Sequence, residues 1–168
     1  VVPGMSFNDS LGVPYGHGYS IFTEILKPTS VGKVWLRSPD PSAKPRILHN
    51  HFDTEADRAA IRESLRINMR IADQRPLRDY EIRRIVYPES DRDEDLDAFV
   101  AAIGQGFYHP SSSCAMGEVV DPELRVIGIG GLRVADASVM PTIVRGNTNA
   151  ATIMIGEKAA DLILARVA

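Results

Sequence analysis

The chain has 168 residues, 44% hydrophobic and 24% charged, the make-up of a soluble globular protein with room for one sizeable core or two small lobes. Its 22 acidic and 19 basic residues are spread along the chain and leave a net charge of -3, so no basic tract invites nucleic acid or anionic lipid. The single cysteine, Cys114, excludes an internal disulfide and a multi-cysteine zinc site, and every apolar run is too short to span a bilayer.

Val1 to Gly12 lack the charged start and apolar run of a signal peptide. A beginning at Val1-Val2-Pro3-Gly4, without Met, reads as a cut fragment, which leaves localisation of the intact protein open, with the cytoplasm as default. Next come three segments rich in apolar, β-branched and aromatic residues: Tyr19 to Lys27, Gly32 to Arg37 and Arg46 to Phe52. Pro28 separates the first from the second, and Pro39, Pro41 and Pro45 separate the second from the third, so an antiparallel meander is predicted. Val34 and Leu36 alternate with Lys33, Trp35 and Arg37, as in a sheet with one packed face.

Thr54 is placed to cap a helix with Asp57 three positions on, and Ile61, Leu65, Met69 and Ala72 repeat at helical spacing up to Pro76. That helix is expected to cover one face of the sheet. A second helix is predicted over Asp91 to Ile103, where Asp91, Asp93, Glu94 and Asp95 suit the positive end of the helix dipole and Gly104 and Gly106 stop the run. From Phe107 the chain turns small and polar through Ser111, Ser112, Ser113 and Cys114, the texture of a loop or bent strand. Leu124 to Ile127 and Leu132 to Asp136 read as two alternating strands separated by Gly128, Gly130 and Gly131, either a hairpin-like pairing or two arms of one sheet edge. The last helix is predicted over Ala150 to Ala165, capped at Thr148 or Asn149.

Two places could carry chemistry. His109 lies between a glycine-rich bend and a serine-rich loop, where an imidazole can face a cavity and act as a base, or can be a structural loop residue before Pro110. Asn147-Thr148-Asn149 at a helix start offers amides and free N-H groups that suit a negatively charged oxygen or ring, or forms an ordinary helix cap. His17, His49 and His51 have no metal-ligand spacing, so no metal site is expected. Ser111 to Ser113 lack the setting of a nucleophile elbow.

Five blocks in one order carry a resemblance: His109-Pro110 with Cys114-Ala115-Met116-Gly117; Asp121 to Val126; Gly131 to Pro141; Gly146-Asn147-Thr148-Asn149; and Ile155 to Asp161. Together they resemble the carboxy-terminal region of the glucose-methanol-choline (GMC) oxidoreductases, and Ser30 to Leu36 looks like a strand of that family's substrate domain. The resemblance implies an α+β fold: an antiparallel sheet covered by helices, plus a C-terminal strand-helix segment that completes the FAD-binding domain. Residues 1-106 would belong to the substrate-binding domain and 107-168 to the C-terminal segment, with the N-terminal FAD-binding half lying outside this sequence.

The resemblance also implies an FAD enzyme acting on a small-molecule alcohol, in which His109 takes the hydroxyl proton and the carbon-bound hydrogen leaves as hydride to flavin N5. Asn147 occupies a partner position that is Asn or His in the family, and its carboxamide would hydrogen-bond the substrate oxygen, as in the choline-oxidase and choline-dehydrogenase branch. Asp136, Ala137, Thr148 and Asn149 fall at positions that contact FAD in the family. Asp136 could equally cap a turn leading to Pro141.

One departure limits what this chain does alone. No G-x-G-x-x-G turn occurs in it, so nothing recognisable would hold the adenosine half of FAD, and the isolated chain is expected to be inactive. The alternatives are a standalone binding or structural module with the same fold, and a hydroxynitrile lyase that uses the base without reducing the flavin.

Overall fold

A computed structural model of the chain describes residues 2-3 and 17-165. The expectation for Val1 to Gly12 falls outside the described residues, apart from Val2 and Pro3. The chain divides into two compact units, one made of Val1–Ile25 and Phe52–Gln105, the other of Leu26–His51 and Gly106–Ala168. Leu26–His51 belongs to the same unit as the residues from Gly106 onward and not to the unit that holds Phe52–Gln105.

In the first unit, β1 (Val2–Pro3) pairs antiparallel with β2 (Tyr19–Ser20). Helix α1 (Glu55–Ala72) begins as its sequence dictates: Thr54 Oγ1 accepts the Asp57 N-H at 3.3 Å, satisfying one of the helix's unpaired donors. Ile61 and Ala72 are buried on its inner face. A short α2 (Arg75–Arg78) follows, with Pro76 in its first turn, where a missing N-H costs nothing. Helix α3 (Asp93–Ile103) packs on α1 with Leu96 fully enclosed. Arg62 on α1 grips Asp97 on α3 through two bonds, Nε to Oδ1 at 2.7 Å and Nη2 to Oδ2 at 2.6 Å, the bidentate geometry that guanidinium and carboxylate planes favour.

In the second unit, β3 (Lys33–Trp35) and β4 (Arg46–Leu48) form an antiparallel hairpin in the register Lys33 to Leu48, Val34 to Ile47 and Trp35 to Arg46. Gly32 admits the partner strand, because a Cβ there would lie 2.3 Å from the Leu48 carbonyl oxygen. The core gathers Val120, Leu124, Val139 and Met140 against Ile155 and Ala159 of helix α4 (Asn149–Leu164). Lys27 Nζ donates to Thr142 Oγ1 at 2.8 Å, linking the segment before the hairpin to the loop before α4.

The α+β class and its short antiparallel pairing agree with the sequence, while three details differ. The meander is not continuous, because Tyr19–Ser20 pairs with Val2–Pro3 and not with β3. Helix α1 packs on α3 rather than on strands. The hairpin has no packed face within its unit, since Val34 and Ile47 are more than half exposed and Trp35 is 37% exposed. Alternation reports that two faces differ, not which surface meets them. The arms on either side of Gly128 to Gly131 do run antiparallel, through an Arg125 to Arg133 bridge and an N-H of Val126 donated to the Leu132 carbonyl at 3.0 Å. Among the described residues, no helix is long and apolar enough to cross a membrane.

Candidate active site

The site is assembled on a short 3-10 helix, Ala137–Val139. Asp136 caps it by accepting the Ser138 N-H at 2.8 Å, the turn-capping role open to it from sequence. Val139 and Met140 anchor it in the core, and α4 packs against it. The loop after His109 lies along it: Ser112 N-H donates to the Ala137 carbonyl at 3.3 Å, Cys114 N-H to Ser138 at 2.9 Å and Met116 N-H to Val139 at 3.0 Å. The His109 loop and the start of α4 are therefore referenced to one rigid element.

Local backbone shapes complete the positioning. Tyr108 (φ 61°) and Ser112 (φ 71°) adopt left-handed conformations on either side of His109, a strain that non-glycine residues hold only where surrounding bonds impose it. Gly146 (φ 129°) turns the chain into α4 through a conformation that side-chain-bearing residues rarely adopt, and so presents Asn147 and Thr148 to the loop.

The two segments meet at His109. Its Nε2 lies 3.2 Å from Asn147 Oδ1, and its Nδ1 lies 3.1 Å from Thr148 Oγ1. The Phe107 ring meets the imidazole edge-on, with centroids 6.1 Å apart. Asn147 is exposed, His109 half-buried and Thr148 buried. The structure thus brings together His109, Asn147 and Thr148. Asn149 opens α4 and is exposed, while Asp136 caps the 3-10 helix and Ala137 begins it, joined to the His109 loop through the bond from Ser112.

Thr148 is the N-cap of α4, yet its side chain makes no capping bond. The first N-H groups of the helix therefore have neither intrahelical partners nor the cap side chain as acceptor, a donor set that suits the electron-rich edge of a ring or an oxyanion. Chemically, the cluster can exchange a proton at an imidazole and donate or accept hydrogen bonds at a neighbouring carboxamide. The contact between Thr148 and Nδ1 was invisible in sequence, where Thr148 reads as a cap or a cofactor contact. His49 and His51 stack with centroids 5.4 Å apart, and among the described residues no three His, Cys, Asp or Glu converge as metal ligands would.

Comparisons with known proteins place the chain. The family model described as GMC oxidoreductase matches residues 28–156. A GMC-type oxidoreductase of Mycobacterium bovis is 45% identical over 170 residues, covering 96% of this chain and 32% of that protein. The oxygen-dependent choline dehydrogenase of Serratia proteamaculans is 46% identical over 155 residues, covering 89% of this chain and 28% of that protein. Among solved structures, a variant of Aspergillus oryzae formate oxidase, studied for FAD modification, superposes with a TM-score of 0.72 at 33% identity, covering 84% of this chain and 26% of that one. The chain thus spans about a third or less of the length of these relatives.

Proposed function

The chain belongs to the GMC oxidoreductase family, and on that premise we propose that it supplies the base and its partner amide to an FAD-dependent alcohol oxidase or dehydrogenase acting on a CH-OH group. The observation that carries this reading is the 3.2 Å approach of His109 Nε2 to Asn147 Oδ1, between residues 38 positions apart. An imidazole held beside a carboxamide at an exposed helix start supplies what proton removal from a hydroxyl requires: a base, and a polar group next to the oxygen on which charge develops.

FAD, when bound, supplies the acceptor for the hydride that leaves the substrate carbon. The donor set fits it. The uncapped N-H groups at Asn149 and Ala150 would face the ring's polar edge, and the backbone of Asp136 and Ala137 would lie along the chain that carries the ring. The residues of this chain then have distinct tasks. His109 takes the hydroxyl proton, Asn147 hydrogen-bonds the substrate oxygen, and the positive end of α4 favours negative charge near its start. Residues 1-106 would line the substrate side, and the FAD-binding half that holds the diphosphate would be contributed by the rest of the polypeptide. The oxidase and dehydrogenase relatives favour hydride transfer over the lyase and the non-catalytic module.

The test is anaerobic mixing of the full-length FAD-loaded enzyme with an alcohol while flavin absorbance is followed. His109→Ala is expected to slow bleaching by roughly a hundredfold while FAD stays bound. Unchanged reduction kinetics would remove His109 from the mechanism, and turnover of a cyanohydrin with no bleaching would favour the lyase.

A further inference from the structure

Asn147 stands near the end of a loop that leaves the core at the buried Met140 and returns to it at the buried Thr148. Residues 141–147 have little of their own to hold them. Pro141 carries no N-H, Gly146 (φ 129°) adds backbone freedom, and the Asn147 side chain is exposed rather than packed. Val144 packs against the core, and among the described residues the hydrogen bonds that reach residues 141–146 come from Lys27 alone. Its ammonium donates to Thr142 Oγ1 at 2.8 Å and to the Ile143 carbonyl at 2.5 Å, from 115 and 116 positions away in the chain.

We propose that Lys27 is a positioning residue that clamps the loop presenting Asn147 to His109, and so acts on the reaction through the carboxamide. This rests on His109 and Asn147 being the base and its partner amide. A charged donor makes stronger hydrogen bonds than a neutral one, and two bonds to consecutive residues fix the direction of the backbone as well as its place. That direction passes through Val144, Arg145 and Gly146 to Asn147, whose Oδ1 lies 3.2 Å from His109 Nε2. Pro28 steadies the donor's own end, since proline locks its φ and narrows the conformations open to the residue before it. A misplacement of about 1 Å next to the reacting atoms costs a large factor in rate, so loss of the clamp reaches the chemistry without touching it. In the sequence a lysine before a proline reads only as a solvated charge; the fold alone supplies its two acceptors.

The experiment uses the full-length FAD-loaded enzyme in wild-type, Lys27→Met, Lys27→Arg, Asn147→Ala and Lys27→Met/Asn147→Ala forms. Methionine keeps an unbranched stem and drops the ammonium. Hydrogen exchange followed by mass spectrometry is expected to quicken about tenfold or more at residues 142–147 in Lys27→Met, and to stay at the wild-type rate in α1 and α3. With benzyl alcohol and choline as hydride donors, Lys27→Met is expected to slow flavin reduction about tenfold, and Lys27→Arg, which keeps charge and donors, to stay within about threefold of wild type. In the Asn147→Ala background the same Lys27→Met change is expected to cost no more than about twofold, because the group it positions is gone. Unchanged exchange at residues 142–147 overturns the proposal without any substrate. So does a full tenfold cost of Lys27→Met in the Asn147→Ala background, the result that a merely structural role would give. A wild-type rate in Asn147→Ala would defeat the reading of the carboxamide itself, whereas a slowed Asn147→Ala beside a wild-type Lys27→Met would defeat only the role given to Lys27.

Discussion

At the scale of single residues, Asn147 is the side chain whose consequence is simplest to isolate. It is exposed and its side chain meets His109, so shortening it to alanine removes a polar group without opening a core. Asn147→Ala is expected to lower kcat/KM for flavin reduction by about a hundredfold, the loss typical of one donor aimed at developing charge, with protein stability unchanged. Stopped-flow reduction together with a thermal melt checks both halves, and a wild-type rate would leave the carboxamide without a role at the substrate. His109 and Asn147 stood out in the sequence because few residue types can serve as a base or as an amide donor. Thr148 did not, because a threonine before a helix has an ordinary explanation, and only the folded chain shows which group receives its hydroxyl.

Among the elements, the junction of α1 and α3 has a pH dependence whose sign follows from its chemistry. Hydrogen bonding from Arg62 holds the Asp97 carboxyl below the usual carboxylate range, against a smaller upward push from burial. A carboxyl with a depressed folded pKa contributes its stabilisation fully above its unfolded value, about 3.9, and loses it as pH falls through the lower folded value. Asp97→Asn is therefore expected to lower the melting temperature at neutral pH and to lessen the loss of stability on acidification below about pH 4, followed by circular dichroism. Identical acid slopes in variant and wild type would show that the pair adds nothing. Helices α1 and α3 were legible because capping, periodicity and first-turn carboxylates are local signals, as Thr54 with Asp57 shows. The strands were less so: Tyr19, Val34 and Ile47 all read as strand, but pairing is a long-range choice, and the turn residues between them do not name the partner.

For the whole molecule, the controlling fact is that the chain spans about a third or less of its relatives. Its residues can face a flavin ring but include no glycine-rich turn for a diphosphate. The isolated 168-residue chain is expected to purify colourless, and the full-length polypeptide to keep FAD through desalting, read from the flavin absorbance. A yellow isolated chain would show that the diphosphate contacts are dispensable. By itself the sequence determined helices α1, α3 and α4, the five ordered blocks and the residue types capable of the chemistry, since these depend on local spacing and side-chain identity. Only the tertiary structure decided that Leu26–His51 folds with the later residues, that the His109 loop and α4 share one 3-10 helix as reference, and that both ring nitrogens of His109 have partners. Those outcomes depend on which surfaces meet once the core around Val139 closes, a competition among distant segments that no local pattern records.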